Sequence, residues 1–195
     1  MSRKAGVERK TRETQIVAEI ELDGSGKSQI TTGIGFLDHM LELFAKHGLF
    51  DLKINTAGDL AVDQHHTVED TGIVLGQAIA KALGNKESIK RYGMSYVPMD
   101  ETLARTVLDL GGRPYLVYEI PVTGEKAGEM DTELAEDFFR AVAFNAGMNL
   151  HIKVLYGNGS HHILEAVFKS FARALCEAVT IDKRIEGVLS TKGTL

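Results

Sequence analysis

The pattern His-His-x-x-Glu occurs twice in this chain, as His65-His66-Thr67-Val68-Glu69 and as His161-His162-Ile163-Leu164-Glu165, 96 residues apart. In a chain of this composition, chance predicts about 0.02 copies. The surroundings repeat too. Phe36-Leu37-Asp38-His39-Met40-Leu41 lies over Leu134-Ala135-Glu136-Asp137-Phe138-Phe139 at a spacing of 98 residues, and Leu52-Lys53-Ile54 lies over Leu150-His151-Ile152 at the same spacing. A period this long, used once, describes a duplicated domain, because a solenoid needs a shorter unit repeated more often. Residues 1–195 therefore form one domain of two pseudo-symmetric halves, about 1–94 and 95–195.

Hydropathy patterning gives each half the order β-β-α-β-α. In the first half, 14–22 alternates as a strand, 27–32 reads as its hairpin return, 36–47 as a helix, 49–56 as a strand and 67–83 as a helix. The second half repeats this with strands at 102–110 and 114–120, a helix at 131–146, a strand at 148–156 and a helix at 161–179. Residues 89–97 read as a connecting strand, and 184–195 show no period. The expected class is α+β.

Composition narrows the function. Hydrophobic residues make up 44% and charged residues 25%, which excludes wholesale disorder. The single cysteine, Cys176, excludes an internal disulfide framework and a cysteine-built zinc site. A net charge of -5 offers no general attraction to nucleic acid. No apolar run approaches the ~18 residues that cross a bilayer. The basic start, Met1-Ser2-Arg3-Lys4, leads into Glu8, Arg9 and Lys10 and not into a secretory apolar core. A soluble, cytoplasmic protein with neither nucleic-acid nor membrane partners is expected.

The spacing of the repeated motif has a mechanical meaning. On a helix, residues i and i+4 share a face, so His65 and Glu69 aim at one point, as do His161 and Glu165. The adjacent His66 and His162 are rotated by about 100° and point elsewhere, so each pair can serve two metal ions. Imidazole and carboxylate donors suit Mn, Fe, Co, Ni or Zn without choosing among them. His39 joins the set through its repeat mate Asp137. Asp38 is expected to hold the second ring nitrogen of His39. His151, between Leu150 and Ile152, reads as structural.

At these residues the chain resembles the imidazoleglycerol-phosphate dehydratases, lyases of histidine biosynthesis. The resemblance runs through Arg12-Glu13-Thr14, Gly35-Phe36-Leu37-Asp38-His39-Met40, His47-Gly48-Leu49-Phe50-Asp51 and Asp63-Gln64-His65-His66-Thr67-Val68-Glu69-Asp70. It continues through Asp109-Leu110-Gly111-Gly112-Arg113-Pro114, Gly159 to Ala166, Phe168 to Leu175, and Ser190-Thr191-Lys192-Gly193. It implies two mixed sheets with helices packed between them, the ribosomal protein S5 domain 2-like arrangement. It further implies two Mn(2+) ions per active site, self-association to a metal-driven 24-mer, and active sites between subunits. The implied reaction removes water from D-erythro-imidazole-glycerol phosphate to give imidazole-acetol phosphate.

The resemblance and the pseudo-symmetry together assign roles. One metal takes His39, His66, His161 and Glu165; the other takes His65, Glu69, Asp137 and His162. Many relatives have histidine in place of Asp137, and a carboxylate adds negative charge and prefers harder ions. Arg91, Arg113, Ser190, Thr191 and Lys192 match phosphate-binding positions. Lys169 lies on the ligand ridge, positioned to contact substrate or to pair with Glu165. Glu13 and His47 match positions near the substrate and are expected to transfer protons, work that the ligand carboxylates Glu69 and Glu165 could share. The chemistry explains the metals. The proton to be lost has no carbonyl beside it, so the imidazole, bound as imidazolate between two Lewis acids, must serve as the electron sink. The competing readings are a dinuclear metallohydrolase of a phosphorylated substrate and a metal-storage shell.

Overall fold

A computed structural model describes residues 3–121 and 124–195, and among these described residues the chain forms ten strands and four helices. In the first half, β1 (Lys4–Lys10), β2 (Thr14–Glu21), β3 (Ser28–Thr31) and β4 (Asp51–Gly58) form one sheet in the order β1-β2-β4-β3. Helix α1 (Gly35–Gly48) separates β3 from β4, and α2 (His65–Leu83) follows. The second half repeats this with β5 (Tyr92–Met99), β6 (Thr102–Asp109), β7 (Tyr115–Glu119), α3 (Leu134–Ala146), β10 (Asn149–Tyr156) and α4 (Ser160–Val179). Its sheet runs β5-β6-β10-β7. A small hairpin, β8 (Lys126–Ala127) with β9 (Met130–Asp131), stands between β7 and α3.

Two sequence expectations change. Residues 27–32 are not a hairpin return, and 114–120, the strand after the Gly111-Gly112 turn, do not pair with the strand before that turn. β3 runs parallel to β4, and β7 runs parallel to β10, each on the far edge of its sheet. The central places go to β4 and β10, whose Leu52, Ile54 and Thr56, and Leu150, Ile152 and Val154, are buried on alternate positions. β3 carries only Ile30 toward the core. Each half also gains a leading strand. Residues 89–97 are not a simple connector, because 92–99 form the edge strand β5, and its counterpart β1 is too charged to show an apolar alternation. Charge on an exposed edge is what keeps such a strand from pairing with another chain.

The strand registers locate the duplication more finely. β1 pairs with β2 so that Lys10 faces Gln15, and β5 pairs with β6 so that Pro98 faces Leu103. The repeat spacing is thus 88 residues over the leading strands, and it becomes 98 from α1 onward. The ten extra residues of the second half lie where β8 and β9 stand.

The four helices fill the space between the sheets. α2 lies on β1 and β2, α4 lies on β5 and β6, α2 packs against α3, and α1 against α4. The α1–α4 contact is aromatic: Phe44 stacks on Phe171 with ring centroids 5.4 Å apart. Phe139 reaches both Phe168 and Phe171 and ties the layers together. The α2–α3 contact is closer. A Cβ on Gly72 would lie 2.7 Å from the Phe138 carbonyl oxygen, and one on Gly76 would lie 2.7 Å from that of Val142. Among the described residues, no helix is long and apolar enough to cross a membrane.

Candidate metal centre and anion cavity

The repeated motifs open α2 and α4, and both helix starts are held by the insert that only one half carries. Gln64, just before His65, donates from Nε2 to the Glu129 carbonyl at 3.0 Å. Ser160, just before His161, accepts the Gly124 backbone N–H at 3.0 Å. Phe36 sets an edge against the His161 ring, centroids 5.2 Å apart.

Three donors meet at the start of α4. Glu165 Oε1 lies 3.1 Å from His39 Nε2 and 3.0 Å from His161 Nε2. Its other oxygen accepts a hydrogen bond from Lys169 Nζ at 2.5 Å. Burial alone would raise the Glu165 pKa, but the hydrogen bonds from Lys169, His39 and His161 outweigh it and hold the carboxyl at about 2. The carboxylate is therefore ionised throughout the physiological range. Neighbouring ligands of an octahedral ion with bonds of about 2.1 Å stand about 3 Å apart, so these three donors fit a divalent transition ion.

The pseudo-symmetric set meets at the start of α2. His65 Nε2 is 3.4 Å from Glu69 Oε2, and His65 Nδ1 is 3.4 Å from Asp137 Oδ2. The two carboxylates take opposite nitrogens of one ring, so this set is gathered without converging on a single point. Each cluster joins a helix of one half to a helix of the other: His39 on α1 to α4, and Asp137 on α3 to α2.

The second histidine of each pair faces away, as the helical rotation requires. His66 Nδ1 lies 3.0 Å from Asp59 Oδ2, and His162 Nδ1 lies 3.0 Å from Glu101 Oε2. These hydrogen bonds raise both imidazole pKa values. Glu13 Oε1 stands 3.8 Å from His66 Nε2. So the chain gathers three of the four donors expected for each ion, of which only His39, His161 and Glu165 converge on one point, and His66 and His162 are not with the rest. Asp38 does not hold His39. Its Oδ1 accepts the Thr32 backbone N–H at 2.8 Å and the Thr32 hydroxyl at 2.6 Å, and so fastens the start of α1. His151 is exposed on the outer face of β10, paired opposite Val107 and Val117.

His47, two turns along α1 from His39, is half-buried. Burial first, then the charges of Lys169 and Arg173, lower its pKa, so it is neutral at pH 7. A neutral imidazole can accept a proton.

The five remaining polar positions come together elsewhere. Arg91, Arg113, Ser190, Thr191 and Lys192 line a cavity of about 330 Å³ with Gly111, Thr194 and Leu195. Arg91 grips Asp109 through two hydrogen bonds, Nε to Oδ1 at 2.6 Å and Nη2 to Oδ2 at 2.9 Å, and its Nη1 donates to the Leu189 carbonyl at 2.7 Å. The aperiodic tail is thereby fixed. Ser88 Oγ donates to the Ile185 carbonyl and the Ser88 backbone N–H to that of Gly187, so the tail reaches the cavity in a set position.

Sequence reasoning did not single out Asp59 or Glu101. The signal for Glu101 was the dipeptide Glu13-Thr14, which recurs as Glu101-Thr102 at the 88-residue spacing of the leading strands. Asp59 has no repeat mate that could have announced it.

The profile of the imidazoleglycerol-phosphate dehydratase family matches residues 32–175. The imidazoleglycerol-phosphate dehydratase of Acetivibrio thermocellus is 65% identical over 195 residues, covering 100% of both chains. The crystal structure of the Staphylococcus aureus enzyme superposes with a TM-score of 0.84 at 45% identity, over 92% of this chain and 99% of that one. The Pyrococcus furiosus enzyme, solved in complex with (S)-C348, superposes with a TM-score of 0.85 at 35% identity, over 97% of this chain and 100% of its own. The chain belongs to the imidazoleglycerol-phosphate dehydratase family of hydro-lyases.

Proposed function

We propose that the protein dehydrates D-erythro-imidazole-glycerol phosphate to imidazole-acetol phosphate at sites that two or more copies complete, with two Mn(2+) ions per site. The observation that carries this reading is the separation of the two half-sites within one chain. The metal donors gather at the start of α4. The anion cavity lies at its other end, where the Arg91 backbone N–H donates to the Ala178 carbonyl. Eighteen residues of helix separate these ends by about 27 Å. The substrate spans under about 10 Å from ring to phosphate. One chain therefore supplies the ring end of one site and the phosphate end of another.

The residues then divide the work. Arg91, Arg113 and Lys192 supply fixed positive charge to the phosphate, with Ser190 and Thr191 as hydroxyl donors. His39, His161 and Glu165 hold one ion, and His65, Glu69 and Asp137 hold the other, with His66 and His162 of neighbouring copies as the fourth donors. When bound, the two ions would supply Lewis acidity that stabilises the substrate's imidazole ring as its anion, which would let the ring give and take back an electron pair. The hydroxyl on the carbon beside the ring leaves as water, taking a proton from one transfer group while the ring donates the electron pair; the neighbouring carbon then gives its proton to the other group, the pair returns to the ring, and the resulting enol becomes the ketone. His47 accepts a proton because it is neutral, and Glu13 stands beside His66 as the second transfer group. Lys169 keeps Glu165 ionised and oriented.

Metal analysis of His161→Ala and His65→Ala tests this. Each variant is expected to lose at least one metal equivalent and nearly all turnover. Full occupancy in both would overturn the ligand assignment. A triazole-bearing phosphate analogue should compete with substrate; a hydrolase that activates water would ignore it.

A further inference from the structure

We propose that Asp59 and Glu101 are positioning residues that fix the orientation of the two outward-facing histidines, so that each presents Nε2 to an ion held by a neighbouring copy. This rests on the two-metal, shared-site reading above. The geometry is the same in both halves. Asp59 places its oxygens 3.0 and 3.2 Å from His66 Nδ1, and Glu101 places its own 3.0 and 3.3 Å from His162 Nδ1. An imidazole that donates its Nδ1 proton to a carboxylate carries its lone pair on Nε2, and the ring can no longer rotate freely.

Inheritance from the duplication does not explain the match. Asp59 sits in the loop from β4 to α2, and its counterpart at the 98-residue spacing is Gly157. Glu101 sits in the turn from β5 to β6, and its counterpart at the 88-residue spacing is Glu13. Glu13 faces the other nitrogen, Nε2 of His66, at 3.8 Å. The two halves thus reach one arrangement, a carboxylate on Nδ1, from positions that are not related by the repeat. A chance surface contact would have no reason to recur on the same nitrogen of the same histidine of each pair. A ligand that must reach across to another copy has that reason, because none of its own chain's donors holds it in place. The segment between Gly58 and His65 is two residues longer than its counterpart between Tyr156 and His161, and Asp59 stands in it.

Manganese titration of the full-length protein, followed by the ion's electron paramagnetic resonance, tests the proposal. The wild type is expected to bind two ions per chain. Asp59→Ala should weaken one of the two ions by roughly 10- to 100-fold and leave the other unchanged, and Glu101→Ala should weaken the other one. Asp59→Asn keeps an acceptor oxygen and should recover most of the affinity. The melting temperature in excess chelator separates positioning from folding. A variant that melts early without metal, yet binds both ions as the wild type does, overturns the proposal. So does an equal weakening of both ions by either variant. A wild type that binds no manganese overturns the two-metal reading, and the positioning role with it.

Discussion

At Asp137 a carboxylate stands where the repeat has His39. Its side chain reaches His65 across the α2–α3 contact at 3.4 Å, a distance that a longer imidazole could also cover. Asp137→His is therefore expected to keep metal and activity, while Asp137→Ala loses one ion and most turnover. Metal analysis beside steady-state kinetics checks both; an Ala variant with two ions and the parent rate would make Asp137 a helix-start residue only. His47 gives the pH dependence. Its pKa is depressed in the folded chain, so its neutral form, and the stability gained by burying it, is fully present above the unfolded value of 6.5 and is lost as pH falls through the folded value. Arg173→Met removes one of the charges that depress it. The acid limb of kcat/KM should then move to higher pH, and a limb that stays in place would remove His47 as the proton acceptor. The histidines and carboxylates that gather at the starts of α2 and α4 were legible because rare side chains recurred. Asp38 was misread because adjacency in sequence does not tell which way a side chain turns: it fastened to Thr32 and left His39 to Glu165.

At the scale of elements, helices were read closely and strands less so. Helices α1 to α4 announced themselves through apolar spacing on one face. β1 did not, because Lys4, Glu8, Arg9 and Lys10 mask the alternation of Ala5 and Val7. The parallel placements of β3 and β7 were also hidden. A Gly-rich turn reads as a hairpin, and nothing local shows that the next strand crosses to the far edge. The site depends most on the α2–α3 contact, since it carries Asp137 to His65 and Glu69. Gly72→Ala would place a methyl 2.7 Å from the Phe138 carbonyl oxygen and 2.9 Å from Ala141 Cβ. Overpacking of this kind costs about 1–3 kcal/mol. The variant should melt earlier and bind the ion at His65 more weakly, while the His39, His161 and Glu165 ion is retained. Chemical denaturation with metal titration reads both effects; unchanged affinity at both ions would mean that the helix contact does not set ligand geometry.

At the scale of the whole molecule, the chain holds two sheets with unlike outer faces. Lys4, Glu19 and Lys53 stand outward on the first, with Lys4 paired to Glu19. Met94, Tyr96 and Val107 are exposed on the second. This difference lay beyond the sequence reading, which found the halves alike by their histidines. The sharing of sites between copies is the claim on which ligands, phosphate cavity and positioning residues all depend. Co-expression of His66→Ala and His161→Ala chains tests it most directly. Either variant alone lacks one donor at every His39 site. In mixed particles, a His66→Ala chain supplies His39, His161 and Glu165, and a His161→Ala neighbour supplies His66. At equal mixing, about a quarter of the sites should regain all four donors, with metal and activity rising together. If all four donors came from one chain, no mixture could repair the site, and the mixed particles would stay as inactive as their parents.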